Sequence, residues 1–123
     1  MLSHKSEYVI KMLGNHLILD LTGCDRSLLE RVDKIIPILN KVCKKAKLNA
    51  VHKYFHQFKP TGVTGVIVLK ESHINIHTWP EYSKAAIDIF SCNPDKKKVD
   101  IAYKLLIEEF KPRKVKKKLL VRR

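Results

Sequence analysis

The sequence predicts an α+β fold: a two-layer sandwich with a mostly antiparallel sheet and two helices on one face. Three observations predict it. Short apolar runs with period-two alternation recur along the chain, two segments alone keep helical spacing over several turns, and four strand-like runs follow one another across short links. Consecutive strands with short connections pair antiparallel, and two helices cover only one face of a sheet. The opposite face then needs a covering, for which a second copy of the chain is the simplest candidate, so at least a homodimer is expected. The 123 residues make one domain, 1–123, with one core.

Taken in order, residues 1–13 read as a loosely attached arm. Asn15 to Thr22 sets Leu17, Leu19 and Leu21 in alternation, a half-buried strand stopped by Gly23. Ser27-Leu28-Leu29-Glu30 has capping-box spacing, with Asp25 as a rival N-cap. The helix that follows carries a stripe of Leu28, Leu29, Val32, Ile35, Ile36, Leu39, Val42, Cys43 and Ala46. Pro37 falls off that stripe, which predicts a kink on the solvent side. Ala50 to Phe58 is a second strand, ended by Lys59-Pro60-Thr61-Gly62. Val63 to Leu69 is apolar and β-branched, a strand buried on both faces or nearly so. His73 to His77 alternates, with His73, Asn75 and His77 on one face and Ile74 and Ile76 on the other. Trp79-Pro80 ends it, and Ala85 to Cys92 is the next strand. Asn93-Pro94-Asp95 opens a second helix with proline at its first position. Its inward stripe is Val99, Ala102, Tyr103, Leu106 and Phe110, and Pro112 closes it. Val115 to Val121 reads as a last, basic edge strand whose lysines discourage further pairing.

Composition narrows the function classes. With 45% hydrophobic and 30% charged residues the chain is globular and not disordered. No apolar run approaches the roughly 20 residues of a membrane span, and the charged N-terminus lacks a secretory core. A cytoplasmic protein without membrane attachment is expected. Three cysteines with no CxxC argue against a disulfide framework or a structural metal site, and reduced thiols fit the cytoplasm. The net charge is +13, and from Lys111 onward there are eight Lys/Arg and no acid. The excess reads as a lysine-rich surface plus a solvated tail, with RNA contact as the competing reading.

Residues 56–92 hold the densest polar text: Phe58, Thr64, Glu71-Ser72-His73, His77, Trp79-Pro80-Glu81 and Cys92. By residue type alone each has an ordinary explanation. Ser72-His73 suits a polar strand end, His77 a hydrogen-bonded structural histidine, Cys92 a small buried hydrophobe, and Phe58 and Trp79 core packing. A Ser-His-Asp hydrolase fits poorly, since there is no G-x-S-x-G and Ser72 begins its strand. Walker and dinucleotide glycine loops are missing from the sequence.

The strings themselves carry more. Pro60-x-Gly62-Val63-Thr64-Gly65-Val66, Glu71-Ser72-His73-Ile74-x-Ile76-His77-Thr78-Trp79-Pro80-Glu81 and Ala85-Ala86-Ile87-Asp88-x-Phe90-x-Cys92 resemble the short prokaryotic S-adenosylmethionine decarboxylases, as does Gly14-x-His16-Leu17. The resemblance implies a proenzyme that cuts itself between Glu71 and Ser72 into a β chain, 1–71, and an α chain, 72–123. In that scheme the Ser72 hydroxyl attacks the Glu71 carbonyl, amide becomes ester, and elimination at Ser72 leaves dehydroalanine. Loss of ammonia then gives a covalent pyruvoyl group derived from Ser72. By resemblance His77 is the proton acceptor in processing and Thr64 holds and polarises the attacked carbonyl, while a strained 71–72 peptide is expected to assist. The pyruvoyl group forms a Schiff base with the amine of S-adenosylmethionine. Cys92 donates the proton after CO2 leaves, Phe58 stacks on the adenine, and Glu81 accepts from the ribose. The product is the aminopropyl donor for spermidine and other polyamines.

Three positions depart from the family pattern. Thr64 stands where many relatives carry serine, Lys70 precedes the cleavage pair, and Ser83-Lys84 replaces a small-plus-aromatic pair on an expected pocket wall. Arginine or ornithine decarboxylation on the same fold is the alternative the resemblance leaves open. A non-catalytic nucleic-acid-binding module is more remote, because residues 111–123 have no aromatic residue among the basic ones.

Overall fold

The computed structural model describes residues 13–93 and 95–123. Among these the chain runs β1 (Gly14–Thr22), α1 (Val32–Ala46), β2 (Ala50–Gln57), β3 (Val63–Leu69), β4 (Ser72–Trp79), β5 (Lys84–Ser91), α2 (Lys97–Phe110) and β6 (Lys114–Arg122). The strands form one antiparallel sheet in the order β2-β3-β4-β5-β1-β6. Alternation decides which side chains face the helices. Leu17, Leu19, Leu21, Ile67, Ile74, Ile76, Ile87 and Ile89 point inward and are essentially inaccessible. They meet Ile35, Leu39 and Val42 of α1 and Val99, Ala102, Leu106 and Phe110 of α2 in one core. Each such side chain contributes roughly 1.5–3 kcal/mol by leaving water. The α+β sandwich with two helices on a mostly antiparallel sheet is as expected.

Several local expectations need correction. The capping-box serine does not start α1. Asp25 instead caps a short 3₁₀ turn, Arg26–Leu28, accepting from the Ser27 backbone and hydroxyl at 3.0 and 2.9 Å. The α-helix begins only at Val32, whose N–H donates to Gln57 Oε1 at 2.8 Å, so its cap comes from a distant strand. Ile38 takes a buried place on the stripe, and Ile36 is only half-buried. Pro37 lies on the exposed side and α1 is continuous through it. Strand β3 is buried on one face only, since Val68 is 43% exposed on the uncovered side of the sheet. The expected basic edge strand is present at the sheet edge, and the reading of the same stretch as a solvated tail falls: it pairs along the whole of β1, from Gly14↔Arg122 to Thr22↔Lys114. Lys117 lies over the Tyr103 ring at 4.1 Å. Helix α2 starts at Lys97, and the N-terminal arm up to residue 12 and Pro94 lie outside the described residues. No described helix is long and apolar enough to cross a membrane.

Candidate active site

The Glu71-Ser72 bond sits in the tight connection between β3 and β4, beside the end of β5. There the Cys92 backbone N–H donates to the Glu71 carbonyl oxygen at 2.8 Å. A donor on that oxygen polarises the carbonyl and favours negative charge developing there. The Glu71 side chain, only 12% exposed, is tied down at the same time. It accepts from Asn49 N (3.0 Å) and Asn49 Nδ2 (2.7 Å), and from Lys98 Nζ (3.3 Å). Burial pushes its pKa up, but the Asn49 backbone N–H and the Asn49 and Lys98 side chains outweigh this and hold the carboxyl below its ordinary range. Ser72 has φ +158°, close to extended backbone, so the expected strain does not take a left-handed form here.

Close approach of β1 places Cys92. A Cβ on Gly14 would run into the Ser91 carbonyl oxygen and lie 2.8 Å from Cys92 Cα, so glycine is required. Ser91 Oγ accepts from Asn93 N at 3.3 Å and buried Asn15 donates its amide to Asn93 O at 3.3 Å, which fixes the chain just past the cysteine. Cys92 is the exposed thiol among the described residues, whereas Cys24 and Cys43 are buried. Burial pushes Cys24 up to about 11 and also raises Cys43. Of the three, Cys92 alone is presented for chemistry, and the reading of it as a buried hydrophobe falls.

On the uncovered sheet face a hydrogen-bonded chain leads away from Ser72. Its Oγ lies 3.4 Å from His73 Nδ1, and His73 Nε2 lies 3.1 Å from Asp88 Oδ2. The same oxygen is 3.0 Å from His16 Nε2, and Arg122 donates to His16 Nδ1 at 3.1 Å. Phe90 packs against both imidazoles, with ring centroids 5.6 and 6.1 Å away. His16, His73 and Asp88 offer three ligand atoms within 4.8 Å of one another, yet each of those atoms already has a matched hydrogen-bond partner. Sequence reasoning passed over Asp88 as a functional group. Its signal was available: it is the one acid in the otherwise apolar run Ala85 to Phe90.

The remaining expected residues gather at the far end of β4. Thr64 Oγ1 and His77 Nδ1 are 3.1 Å apart across the β3–β4 pair. A recess of about 290 Å³ is lined by Phe58, Thr61, Gly62, Thr64, His77, Thr78, Trp79 and Glu81. Its rim aromatics are unusually open, with Phe58 45% and Trp79 44% exposed, so neither is core. Gly62, at φ +116°, turns the 58–62 loop back so that its carbonyl accepts from Phe58 N at 2.8 Å. Ser83 and Lys84 do not line this recess; Lys84 lies with Trp79 on a neighbouring one. Thr64 therefore bonds His77 and not the Glu71 carbonyl. Five residues of extended strand separate His77 from Ser72, about 17 Å at some 3.4 Å per residue. Within one chain the expected site residues form two groups.

A two-layer α+β sandwich with a serine at a hairpin turn, its preceding carbonyl accepting a hydrogen bond from the backbone of an exposed cysteine, is the class of structure these residues build. The chain belongs to the S-adenosylmethionine decarboxylase family, whose profile matches residues 15–123. It is similar to the S-adenosylmethionine decarboxylase proenzyme of a Sulfurihydrogenibium species, at 42% identity over 91% of this chain and 84% of that protein. The proenzyme of the same name from Archaeoglobus fulgidus is 43% identical over 82% of this chain and 89% of that one. The crystal structure of the adenosylmethionine decarboxylase from Aquifex aeolicus superposes with a TM-score of 0.87 at 38% identity, covering 91% and 92% of the two chains.

Proposed function

We propose that this chain is a proenzyme that cuts itself between Glu71 and Ser72 and then decarboxylates S-adenosylmethionine. The observation that carries the reading is the Cys92 N–H on the Glu71 carbonyl, because it brings the bond to be cut and the thiol to one point. Attack of Ser72 Oγ on that carbonyl gives an ester, and loss of the Ser72 α-proton releases chain 1–71. The dehydroalanine left on chain 72–123 hydrolyses to a pyruvoyl group. Residue 72 fits such a group: it lies at a chain turn, next to the exposed thiol and beside an open sheet face. The pyruvoyl group supplies a carbonyl that serves as electron sink for loss of CO2. The chain's own residues do the rest. Cys92 delivers a proton to the substrate carbon, a role worth about 10²–10⁴ in rate for a positioned acid.

The recess suits a nucleoside. Phe58 and Trp79 offer ring faces to adenine and to the cationic sulfur centre, and Glu81 offers a carboxylate to ribose hydroxyls. Since that recess and Ser72 lie at opposite ends of β4, we infer that a second copy, docked on the uncovered sheet face, brings its recess to the first chain's Ser72 and Cys92. The working unit is then a homodimer of processed chain pairs with shared sites. Free thiols at Cys24, Cys43 and Cys92 suit the cytoplasm, and the product suits aminopropyl transfer in polyamine synthesis.

Intact mass measurement together with CO2 release from S-adenosylmethionine, arginine and ornithine tests the reading. Two fragments meeting at 71/72, with turnover of S-adenosylmethionine, are expected. A chain that stays whole overturns self-cleavage. Turnover of arginine or ornithine alone overturns the substrate.

A further inference from the structure

We infer that His73, oriented by Asp88, is the catalytic base that takes the Ser72 hydroxyl proton in the first step of self-cleavage, and that His16 and Arg122 position Asp88. This rests on the self-cleavage proposed above and assigns its first step a base from within the same chain. His77, about five residues along an extended strand from Ser72, is too far within its own chain to reach that hydroxyl.

With His73 as the neutral imidazole that a base requires, the donors and acceptors admit one consistent assignment. A guanidinium can only donate, so His16 Nδ1 accepts from Arg122 and His16 Nε2 carries the proton it gives to Asp88. Asp88 Oδ2 accepts a second time, from His73 Nε2–H at 3.1 Å. With its proton on Nε2, His73 turns a free lone pair at Nδ1 toward Ser72 Oγ, 3.4 Å away. That separation is long for a resting hydrogen bond, as is common before a reacting geometry tightens. The partial burial of all three side chains, 18%, 34% and 28% exposed for His16, His73 and Asp88, keeps water from competing fully for these bonds.

The step balances within the chain. The Ser72 Oγ–H proton passes to His73 Nδ1, and the oxygen attacks the Glu71 carbonyl carbon. The developing oxyanion is held by the Cys92 N–H, while Asp88 stabilises the imidazolium. As the C–N bond breaks, His73 Nδ1 returns that proton to the Ser72 nitrogen. Ester and free amine replace amide and alcohol, with no net proton exchanged and no outside reactant.

The test follows freshly made chain through time, by cell-free synthesis with mass detection. His73→Ala should slow the appearance of fragments by roughly 10²-fold or more, and added imidazole should restore part of the rate. His73→Gln keeps the bulk and an N–H for Asp88 but cannot take up a proton from the Ser72 hydroxyl, so it should be equally slow while melting like wild type. Asp88→Asn should slow cleavage by about 10-fold, as expected of a positioning residue. Hydroxylamine, which cuts esters, should release no fragments from His73→Gln because no ester has formed. Wild-type rates in His73→Gln, or hydroxylamine-labile ester accumulating there, would overturn the inference. So would loss of wild-type cleavage under a metal chelator, which would reassign the His16–His73–Asp88 group to an ion. A wild-type chain that never splits sinks the self-cleavage reading instead, so the two failures are told apart.

Discussion

Replacing Gly14 by alanine adds one methyl group where β1 passes the end of β5. Its backbone is compatible with any residue, so the effect is purely one of space. The new Cβ would overlap the Ser91 carbonyl oxygen and stand 2.8 Å from Cys92 Cα and 2.9 Å from Ser91 C. All three are backbone atoms, so no side chain can swing aside. Restoring ordinary contact needs a separation of about 1 Å, and overpacking of this kind costs about 1–3 kcal/mol. For a domain of this size that lowers Tm by roughly 4–15 °C. The same shift acts on the 2.8 Å bond from Cys92 N to the Glu71 carbonyl. Lengthened by about 1 Å, it ceases to be a hydrogen bond, and a misplacement of this size in a reacting group lowers its rate by about 10²-fold. Cleavage time courses and melting curves are compared with Leu19→Ala, a cavity in the same strand that costs about 2–5 kcal/mol without touching residues 91–92. Gly14→Ala should be the more stable variant and the slower to cleave. Equal or faster cleavage in Gly14→Ala than in Leu19→Ala would refute the argument that glycine there exists to place Cys92.

Other outcomes follow from the same geometry. Iodoacetamide on the native protein should label Cys92 well before buried Cys24 and Cys43, read by peptide mass mapping, and Cys92→Ala should still cleave but lose about 10²–10⁴ in turnover; early labelling of Cys24 would contradict this. Glu71 is held below its free value, so its stabilising tie is complete above about pH 4.3 and is lost as pH falls through the lowered folded value. In the uncleavable Ser72→Ala background, Glu71→Gln should therefore flatten the fall of Tm below pH 4.3, and an unchanged slope would count against the tie. Coexpressed Cys92→Ala and Glu81→Gln chains should regain about a quarter of wild-type turnover, since half of random dimers are mixed and each mixed dimer has one site free of both defects. No recovery would place the whole site within one chain.

Much of this molecule was legible in the order of its residues. Period-two alternation at Leu17, Leu19 and Leu21 and at His73 to His77 defined strands and faces, because a side chain's side of a sheet depends only on its parity. The strings around Glu71-Ser72 and Cys92 pointed to the family before any contact was known. What the sequence left undetermined depends on distance in space. The helix start moved to Val32 because its cap is Gln57, from β2. The run of lysines was legible as an edge strand, but its pairing with β1 along the whole of that strand was not. The site residues, adjacent in text, separated into two groups because five residues in a strand span far more than five in a helix. His16, Asp88 and Arg122, scattered from one end of the chain to the other, met beside Ser72 only when β5, β1 and β6 came together in the sheet. Hydrogen bonds between strands have no sequence period, so their partners were decided by the fold alone.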